Sequence, residues 1–469
     1  MTDTLMVGVS GVRGIVDKDL TPEIVTRWAR AFGRWARERK PLVVVGRDSR
    51  PSGPRFARAV QEGLTAAGCE VIDVGLVPTP TIQLAVAFHH AGGGIAVTAS
   101  HNPAEWNALK FIGPDGIFLD GTDSVRVRDW AESESKDRDL LTGDGPRVTT
   151  DGGAIERHLA HVLALPVVDV ARIRAQRFRV ALDTVRGAGG VIMPALLERL
   201  GCAVWGLELT PDGQFPRAPE PVPEHLGGLG TAVRKSAATL GIAVDPDVDR
   251  LAIVDETGTP IGEDYTLAFA VRAVLGDQAV NRSRSQEPLI AYPPNRLAVV
   301  CNLSTSLVVE DAARECGATV VRTPVGEAHV ARRMVDLGAV IGGEGNGGVI
   351  YPALHAGRDA PVAAALALTL LARTGRRVSE LVAAAPRYTI VKAKTPRGPA
   401  LDAVYAALRR RFSDATVDTQ DGLRLAWPDR WLHVRPSNTE PIIRLIAEAP
   451  AGELAQQLVD EGKRLCAAS

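Results

Sequence analysis

Leu42-Val43-Val44-Val45-Gly46-Arg47-Asp48-Ser49-Arg50-Pro51-Ser52-Gly53 reads as a short aliphatic strand running into a polar, turn-forming loop. A helix is predicted over 56–67. Behind it, Gly68-Cys69-Glu70-Val71-Ile72-Asp73-Val74-Gly75 returns to a strand pattern after a helix-ending glycine. Strand, loop, helix, glycine, strand is the signature of a βαβ unit, because parallel strands need a crossover to join them.

The order recurs twice. The second copy runs from a strand at 178–182 through a loop at 183–190 and an apolar helix at 191–200 into Gly201-Cys202-Ala203-Val204-Trp205-Gly206. The third leads from 297–301 through Asn302-Leu303-Ser304-Thr305-Ser306 and a helix ending at Cys316 into Gly317-Ala318-Thr319-Val320-Val321. Three widely spaced copies argue for three α/β domains of similar build. Ahead of the first, Thr21-Pro22-Glu23 is a helix cap, and Ile24, Trp28, Phe32 and Trp35 recur at helical spacing as a core-facing stripe. After Gly375-Arg376-Arg377 the pattern changes: a strand at 388–392, a helix at 400–412, strands near 423–427, 431–434 and 442–447, and a helix from Glu453. That is an α+β layout. The expected domains are 1–150, 151–256, 257–375 and 380–469.

Composition narrows the function classes. The chain of 469 residues is 45% hydrophobic and 23% charged with a formal net charge of −1, so neither a polybasic nucleic-acid surface nor an acidic tail is indicated. Cys69, Cys202, Cys301, Cys316 and Cys466 are dispersed without a CxxC pair, which points to reduced thiols and a cytoplasmic location. Met1-Thr2-Asp3-Thr4-Leu5-Met6 has no leader pattern, and no apolar run approaches the roughly 20 residues of a membrane span.

The chemistry lies in polar loops. Thr98-Ala99-Ser100-His101-Asn102-Pro103 follows the small apolar run 92–97 and places a hydroxyl where a nucleophile would sit; an ordinary turn is the alternative. In Asp245-Pro246-Asp247-Val248-Asp249-Arg250, three carboxylates at alternate positions point the same way if the segment is extended. Like charges so close call for a cation, and hard oxygen ligands favour Mg²⁺; a solvated acidic turn is the other reading. Arg250 adds a cation for a phosphate or hydroxyl. Gly342-Gly343-Glu344-Gly345-Asn346-Gly347-Gly348 lacks the Lys-Ser/Thr of a P-loop, but Glu344 and Asn346 suit vicinal sugar hydroxyls, unless the stretch is only a flexible turn. Arg435-Pro436-Ser437-Asn438-Thr439-Glu440-Pro441 groups donors fit for a phosphate dianion, or else forms a hydroxyl-rich turn. Ser10-Gly11-Val12-Arg13-Gly14 supplies a further small basic loop.

Taken in order, these loops together with Gly46-Arg47-Asp48-Ser49-Arg50 resemble the α-D-phosphohexomutase family over essentially the whole chain. The resemblance implies four domains around a central cleft, three of them α/β with mixed sheets and the last α+β, each giving one loop. It implies that Ser100 is the phosphoserine, that Asp245, Asp247 and Asp249 bind Mg²⁺ with the seryl phosphate, and that Glu344 contacts the sugar. Arg435, Ser437, Asn438 and Thr439 would hold the non-reacting phosphate. Asn346 stands where many relatives carry Ser. Together with Val325-Gly326-Glu327 and His355-Ala356-Gly357-Arg358-Asp359 it is similar to the branch assigned as archaeal-type phosphoglucosamine mutase.

The expected reaction moves a phosphoryl group from Ser100 to a hexose monophosphate and back through a hexose 1,6-bisphosphate, most simply converting glucosamine 6-phosphate to glucosamine 1-phosphate. Lys110 and Arg250, then His101, are the candidates for proton transfer, and Arg13 is a further catalytic cation. Phosphomannomutase or phosphoglucomutase activity, a metal-dependent sugar phosphatase and a sugar-phosphate sensor are the alternatives. The expected partners are hexose phosphates and their bisphosphate, with no nucleic acid or membrane, in a monomer or homo-oligomer.

Overall fold

A computed structural model describes residues 5–8, 11–133, 147–284, 297–396, 398, 401–437 and 442–467, without side chains for 277–284. Among these residues the chain forms four sheets.

Each of the first three sheets contains one predicted βαβ unit. Leu42–Arg47 lies parallel to Glu70–Leu76, Arg179–Asp183 to Ala203–Leu207, and Ala298–Asn302 to Thr319–Thr323. The crossover helices are Gly53–Ala66, Gly189–Arg199 and Leu307–Glu315. Behind them, Gly68, Gly201 and Gly317 take φ values of 80°, 76° and 69°, the left-handed geometry that lets the chain leave a helix without a Cβ penalty. The helix Pro22–Arg37 packs Trp28, Phe32 and Trp35 into the first core, with Thr21 capping the Ile24 amide, while Ile24 stays at the margin.

Antiparallel strands make all three sheets mixed. Gly93–Val97 pairs with Trp106–Ile112, Leu240–Val244 with Leu251–Val254, and Ile341–Glu344 with Gly348–Tyr351. The fourth sheet is antiparallel throughout, in the order Thr389–Pro396, Ile442–Ala449, Trp431–Pro436, Leu423–Ala426, Thr416–Asp418. The loop of Ser100, the Asp245–Asp249 segment, the loop of Asn346 and the segment that follows Arg435 are therefore each the connection between an antiparallel strand pair. A hairpin held by hydrogen bonds on both sides fixes a loop more firmly than a single strand end does.

The second and third sheets share one hydrophobic core that runs from Leu159 to Ala385. The helix Ala360–Thr374, capped by Asp359 and buried over most of its length, lies at its centre. The fourth sheet has its own core beneath the helices Leu401–Arg411 and Gly452–Ala467. No helix among the described residues is long and apolar enough to cross a membrane.

Candidate active site

Ser100 is buried, with a φ of 50° that few non-glycine residues adopt. Its amide donates to Thr98 Oγ1 at 2.9 Å, and that hydroxyl donates to Asp48 Oδ2 at 2.7 Å. Asp48 also receives Arg50 Nε at 3.0 Å. The rest of the Arg50 guanidinium donates to the carbonyls of Ser100, Asn102, Pro103 and Trp106 at 2.6, 2.7, 2.5 and 2.9 Å. One buried cation thus satisfies four backbone acceptors and holds the serine loop in its left-handed shape. Arg50 stands in the Gly46–Arg50 stretch, but its contacts 50 to 56 residues away have no local signal.

The Asp245–Asp249 segment is not extended. Val248 N–H donates back to the Asp245 carbonyl at 3.2 Å, and Val248, buried and β-branched, sits at a φ of 62°. The turn, not strand alternation, makes the carboxylates converge: one oxygen from each of Asp245, Asp247 and Asp249 lies within 4.8 Å of the others. Strain of this kind persists only where surrounding structure imposes it, and it commonly marks a functional loop.

The electrostatics divide the three. Burial, then Asp249 and Asp247, push the Asp245 carboxyl well above its ordinary range. Burial acts the same way on Asp247, but Lys110 Nζ at 2.7 Å and Thr79 Oγ1 at 2.9 Å outweigh it and hold this carboxyl below the usual range. Asp249 Oδ2 receives Arg358 Nη2 at 2.6 Å. Asp247 Oδ1 and Asp249 Oδ1 are buried without a hydrogen-bond donor. Unsatisfied carboxylate oxygens in such a cluster fit a hard divalent cation.

Ser100 Oγ donates to Asp245 Oδ2 at 3.1 Å, which joins the first and second domains at this point. Cations surround the pair. Lys110 Nζ is also 3.8 Å from Asp249, and Arg250 Nε lies 3.7 Å from Asp249 and 4.0 Å from Asp245 while its Nη1 reaches Glu220 at 3.2 Å. Arg13 Nη1 donates to Asn102 Oδ1 at 2.6 Å. His101 Nδ1 is 3.4 Å from Ser100 Oγ. The charge of Arg250, then burial, then Arg13, drive the His101 pKa well down, so its imidazole is neutral near pH 7.

Glu344 ends a buried strand and is fully engaged. Its Oε1 receives Asn302 Nδ2 at 2.8 Å and the Gly326 amide at 3.0 Å; its Oε2 receives Arg358 Nη1 at 2.6 Å and Asn346 Nδ2 at 3.4 Å. Arg358 therefore bridges the Asp245–Asp249 turn and the Glu344 strand, with Glu327 Oε2 a third carboxylate 3.1 Å from its Nε. Arg358 lies in a stretch whose local pattern carries no sign of this role, because its partner Asp249 is 109 residues away.

Arg435 is the next-to-last residue of the strand Trp431–Pro436, with Nε 2.9 Å from Asp421 Oδ2 in an ion pair. Ser437 N–H closes the hairpin on the Ile442 carbonyl at 2.9 Å. Asn438 and Thr439 lie outside the described residues, as does Ser10 of the N-terminal loop. The fourth sheet meets the third through Ser304 Oγ and His433 Nδ1 at 2.8 Å, and through Glu448 Oε2, which receives the Leu307 amide at 2.8 Å.

Family models for the phosphoglucomutase/phosphomannomutase α/β/α domains I, II and III match residues 4–138, 156–258 and 273–388, and that for the C-terminal domain matches 390–464. A phosphoglucomutase/phosphomannomutase of Thermococcus kodakarensis is 37% identical over 98% of this chain and 97% of its own length. A probable phosphoglucosamine mutase of Methanopyrus kandleri is also 37% identical, over 97% of this chain and 96% of its own. Among solved structures, a phosphoglucomutase/phosphomannomutase family protein of Burkholderia thailandensis superposes with a TM-score of 0.84 at 25% identity, covering 100% of this chain and 98% of that one. The chain belongs to the phosphohexomutase family, whose members are isomerases that work by intramolecular phosphoryl transfer.

Proposed function

We propose that this protein interconverts hexose 6-phosphates and hexose 1-phosphates through a phosphorylated Ser100 and a hexose 1,6-bisphosphate, with glucosamine phosphate as the preferred substrate. The carrying observation is the 3.1 Å approach of Ser100 Oγ to Asp245 in a ring of carboxylates that keeps two unsatisfied oxygens. Asp245, Asp247 and Asp249 would hold Mg²⁺ together with the seryl phosphate. Bound there, Mg²⁺ would offset phosphate charge and make the phosphorus more electrophilic.

The chain's own residues account for the rest. Transfer between two oxygens needs positioning and charge neutralisation more than a strong base. Lys110, Arg250 and Arg13 supply positive charge around Ser100, and Lys110, Arg250 and neutral His101 are the groups within reach of the transferred proton. A sugar hydroxyl attacks the phosphorus, the bond to Ser100 Oγ breaks, and the bisphosphate turns over before the other phosphate returns to Ser100. Glu344 and Asn346 would orient ring hydroxyls by exchanging their long mutual contact of 3.4 Å for the sugar, while Arg435, Ser437, Asn438 and Thr439 hold the phosphate that is not reacting. A phosphate site on a separate domain, with a core of its own, can serve either end of the substrate. The boundaries 1–150, 151–256, 257–375 and 380–469 give each loop its domain. Five free thiols accord with a cytoplasmic enzyme.

Amino-sugar preference rests on the Asn346 sugar loop and its relation to Glu344. Intact-protein mass reads the phosphate on Ser100, and a coupled assay on glucosamine, glucose and mannose 6-phosphates, with bisphosphate activator, reads the sugar. Full turnover by a Ser100→Ala protein would overturn the mechanism; faster turnover of glucose or mannose phosphate would make the protein a phosphoglucomutase or phosphomannomutase.

A further inference from the structure

Two consecutive backbone amides in the third domain are given to carboxylates of two different domains. Val325 N–H donates to Asp421 Oδ2 at 3.1 Å, and Gly326 N–H donates to Glu344 Oε1 at 3.0 Å. Asp421 lies just ahead of the strand Leu423–Ala426 in the fourth sheet, and Glu344 ends the strand that delivers the sugar loop. The same Asp421 oxygen is 2.9 Å from Arg435 Nε.

Neither end of this linkage is loose. The Asp421 carbonyl meets His433 Nε2 at 2.7 Å, and the other ring nitrogen of that buried histidine meets Ser304 Oγ at 2.8 Å. Gly326 has a φ of 135°, which side-chain-bearing residues rarely adopt, so a glycine there sets the direction of the amide that reaches Glu344. The two donor amides belong to successive peptide planes that meet at Val325 Cα. Asp421 and Glu344 are thus linked through two planes, the Val325 dihedrals between them and two hydrogen bonds.

The consequence falls on Arg435. Its Nε is buried without an aligned hydrogen-bond acceptor, so the ion pair with Asp421 at 2.9 Å is what keeps the guanidinium in place, and less side-chain freedom remains to be lost when its Nη edge meets a phosphate. We propose that Asp421 is a positioning residue: it aims Arg435 at the substrate's non-reacting phosphate and sets, through the Val325–Gly326 turn, the reach from that phosphate to the hydroxyls held by Glu344. The ligand class this selects is a hexopyranose whose phosphate stands one ring away from the hydroxyls being read. The inference rests on the mutase reading above.

Asp421→Asn separates aiming from docking. Its amide oxygen still accepts the Val325 N–H, but the charge that holds Arg435 is gone. The KM for hexose 6-phosphate is expected to rise about tenfold with kcat changed by less than about threefold, the pattern of lost binding that does not alter the chemical step. Asp421→Ala, which loses both contacts, is expected to show the same rise in KM and a lower melting temperature. If Asp421 only docks the fourth domain, Asp421→Asn keeps the wild-type KM, and that result overturns the proposal. Should Asp421→Asn not fold, Asp421→Glu reads the same quantity, because one added methylene moves the carboxylate off Arg435; an unchanged KM there overturns it equally. A wild-type protein that isomerises no hexose 6-phosphate would sink the mutase reading and this inference together, whereas an active wild type with unaltered variants sinks the inference alone.

Discussion

Arg50 Nη2 lies 2.6 Å from the carbonyl oxygen of Ser100, so a side chain from the first βαβ loop grips the backbone of the residue that would carry the phosphate. The same buried guanidinium holds three more carbonyls of that loop. Arg50→Lys puts one ammonium where a fork of donors stood. Buried acceptors left without a donor cost about 1–3 kcal/mol each, so a loss of several kcal/mol in unfolding free energy is expected. Because the loop would also relax, kcat should fall by about a hundredfold or more, as misplacement of a reacting group does. Urea unfolding and steady-state kinetics read the two effects. Wild-type stability and turnover in this variant would show that the clamp is dispensable.

The backbone at Ser100 makes a separate prediction. A left-handed conformation costs an L-residue roughly 1–2 kcal/mol, and glycine escapes that cost. At an ordinary site glycine is less stable than alanine by about 0.5–1 kcal/mol, through unfolded-chain entropy. Ser100→Gly is therefore expected to be at least as stable as Ser100→Ala, with both inactive. A glycine variant less stable by about 1 kcal/mol would mean that the loop leaves the left-handed region once the hydroxyl is gone.

What the sequence could and could not reveal follows from the range of the signals. The βαβ units were legible because a strand run, a helical period and glycines such as Gly68 and Gly201 are all local. Ser100, the three aspartates, Glu344 and Arg435 stood out as polar residues in turn-rich stretches beside apolar strands. Hairpin closure around each loop was hidden, since the pairing of Trp106–Ile112 with Gly93–Val97 depends on tertiary context. The condition of an extended Asp245–Asp249 segment is not met, and no local signal says so, because a β-branched Val248 argues against the left-handed geometry it takes. Arg50 and Arg358 act on partners far along the chain, and no periodicity reports that. The strand Thr416–Asp418 is too short for alternation to register.

Arg358 is the cation on which three buried carboxylates converge, with Asp249, Glu344 and Glu327 at 2.6, 2.6 and 3.1 Å. Their attraction raises its pKa against the opposing effect of burial. Removing one member of a buried ion cluster leaves uncompensated charge and typically costs about 3–5 kcal/mol. Arg358→Gln is expected to lose at least that much in urea unfolding at pH 7.5, far more than a neutral surface substitution. A loss below about 1 kcal/mol would show that other groups carry the balance.

Asp264 gives the pH prediction. It is the first residue of the helix Asp264–Arg284, and its Oδ1 accepts the Ser306 amide at 2.8 Å, at the capped start of the helix that Glu448 of the fourth domain also contacts. Burial, only partly countered by that hydrogen bond and reinforced by Glu448, pushes its pKa up from 3.8 to about 8. A carboxyl whose folded pKa lies above its unfolded value favours the folded state fully below the unfolded pKa, and the contribution disappears as pH rises through the folded pKa. The window is therefore between about 4 and about 8. Asp264→Asn keeps an oxygen for the Ser306 amide and cannot ionise. Its melting temperature is expected to match wild type near pH 4 and to exceed it by several degrees at pH 8.5, where wild-type Asp264 must be charged in a buried site. Parallel melting curves for the two proteins across that range would show that Asp264 does not titrate there.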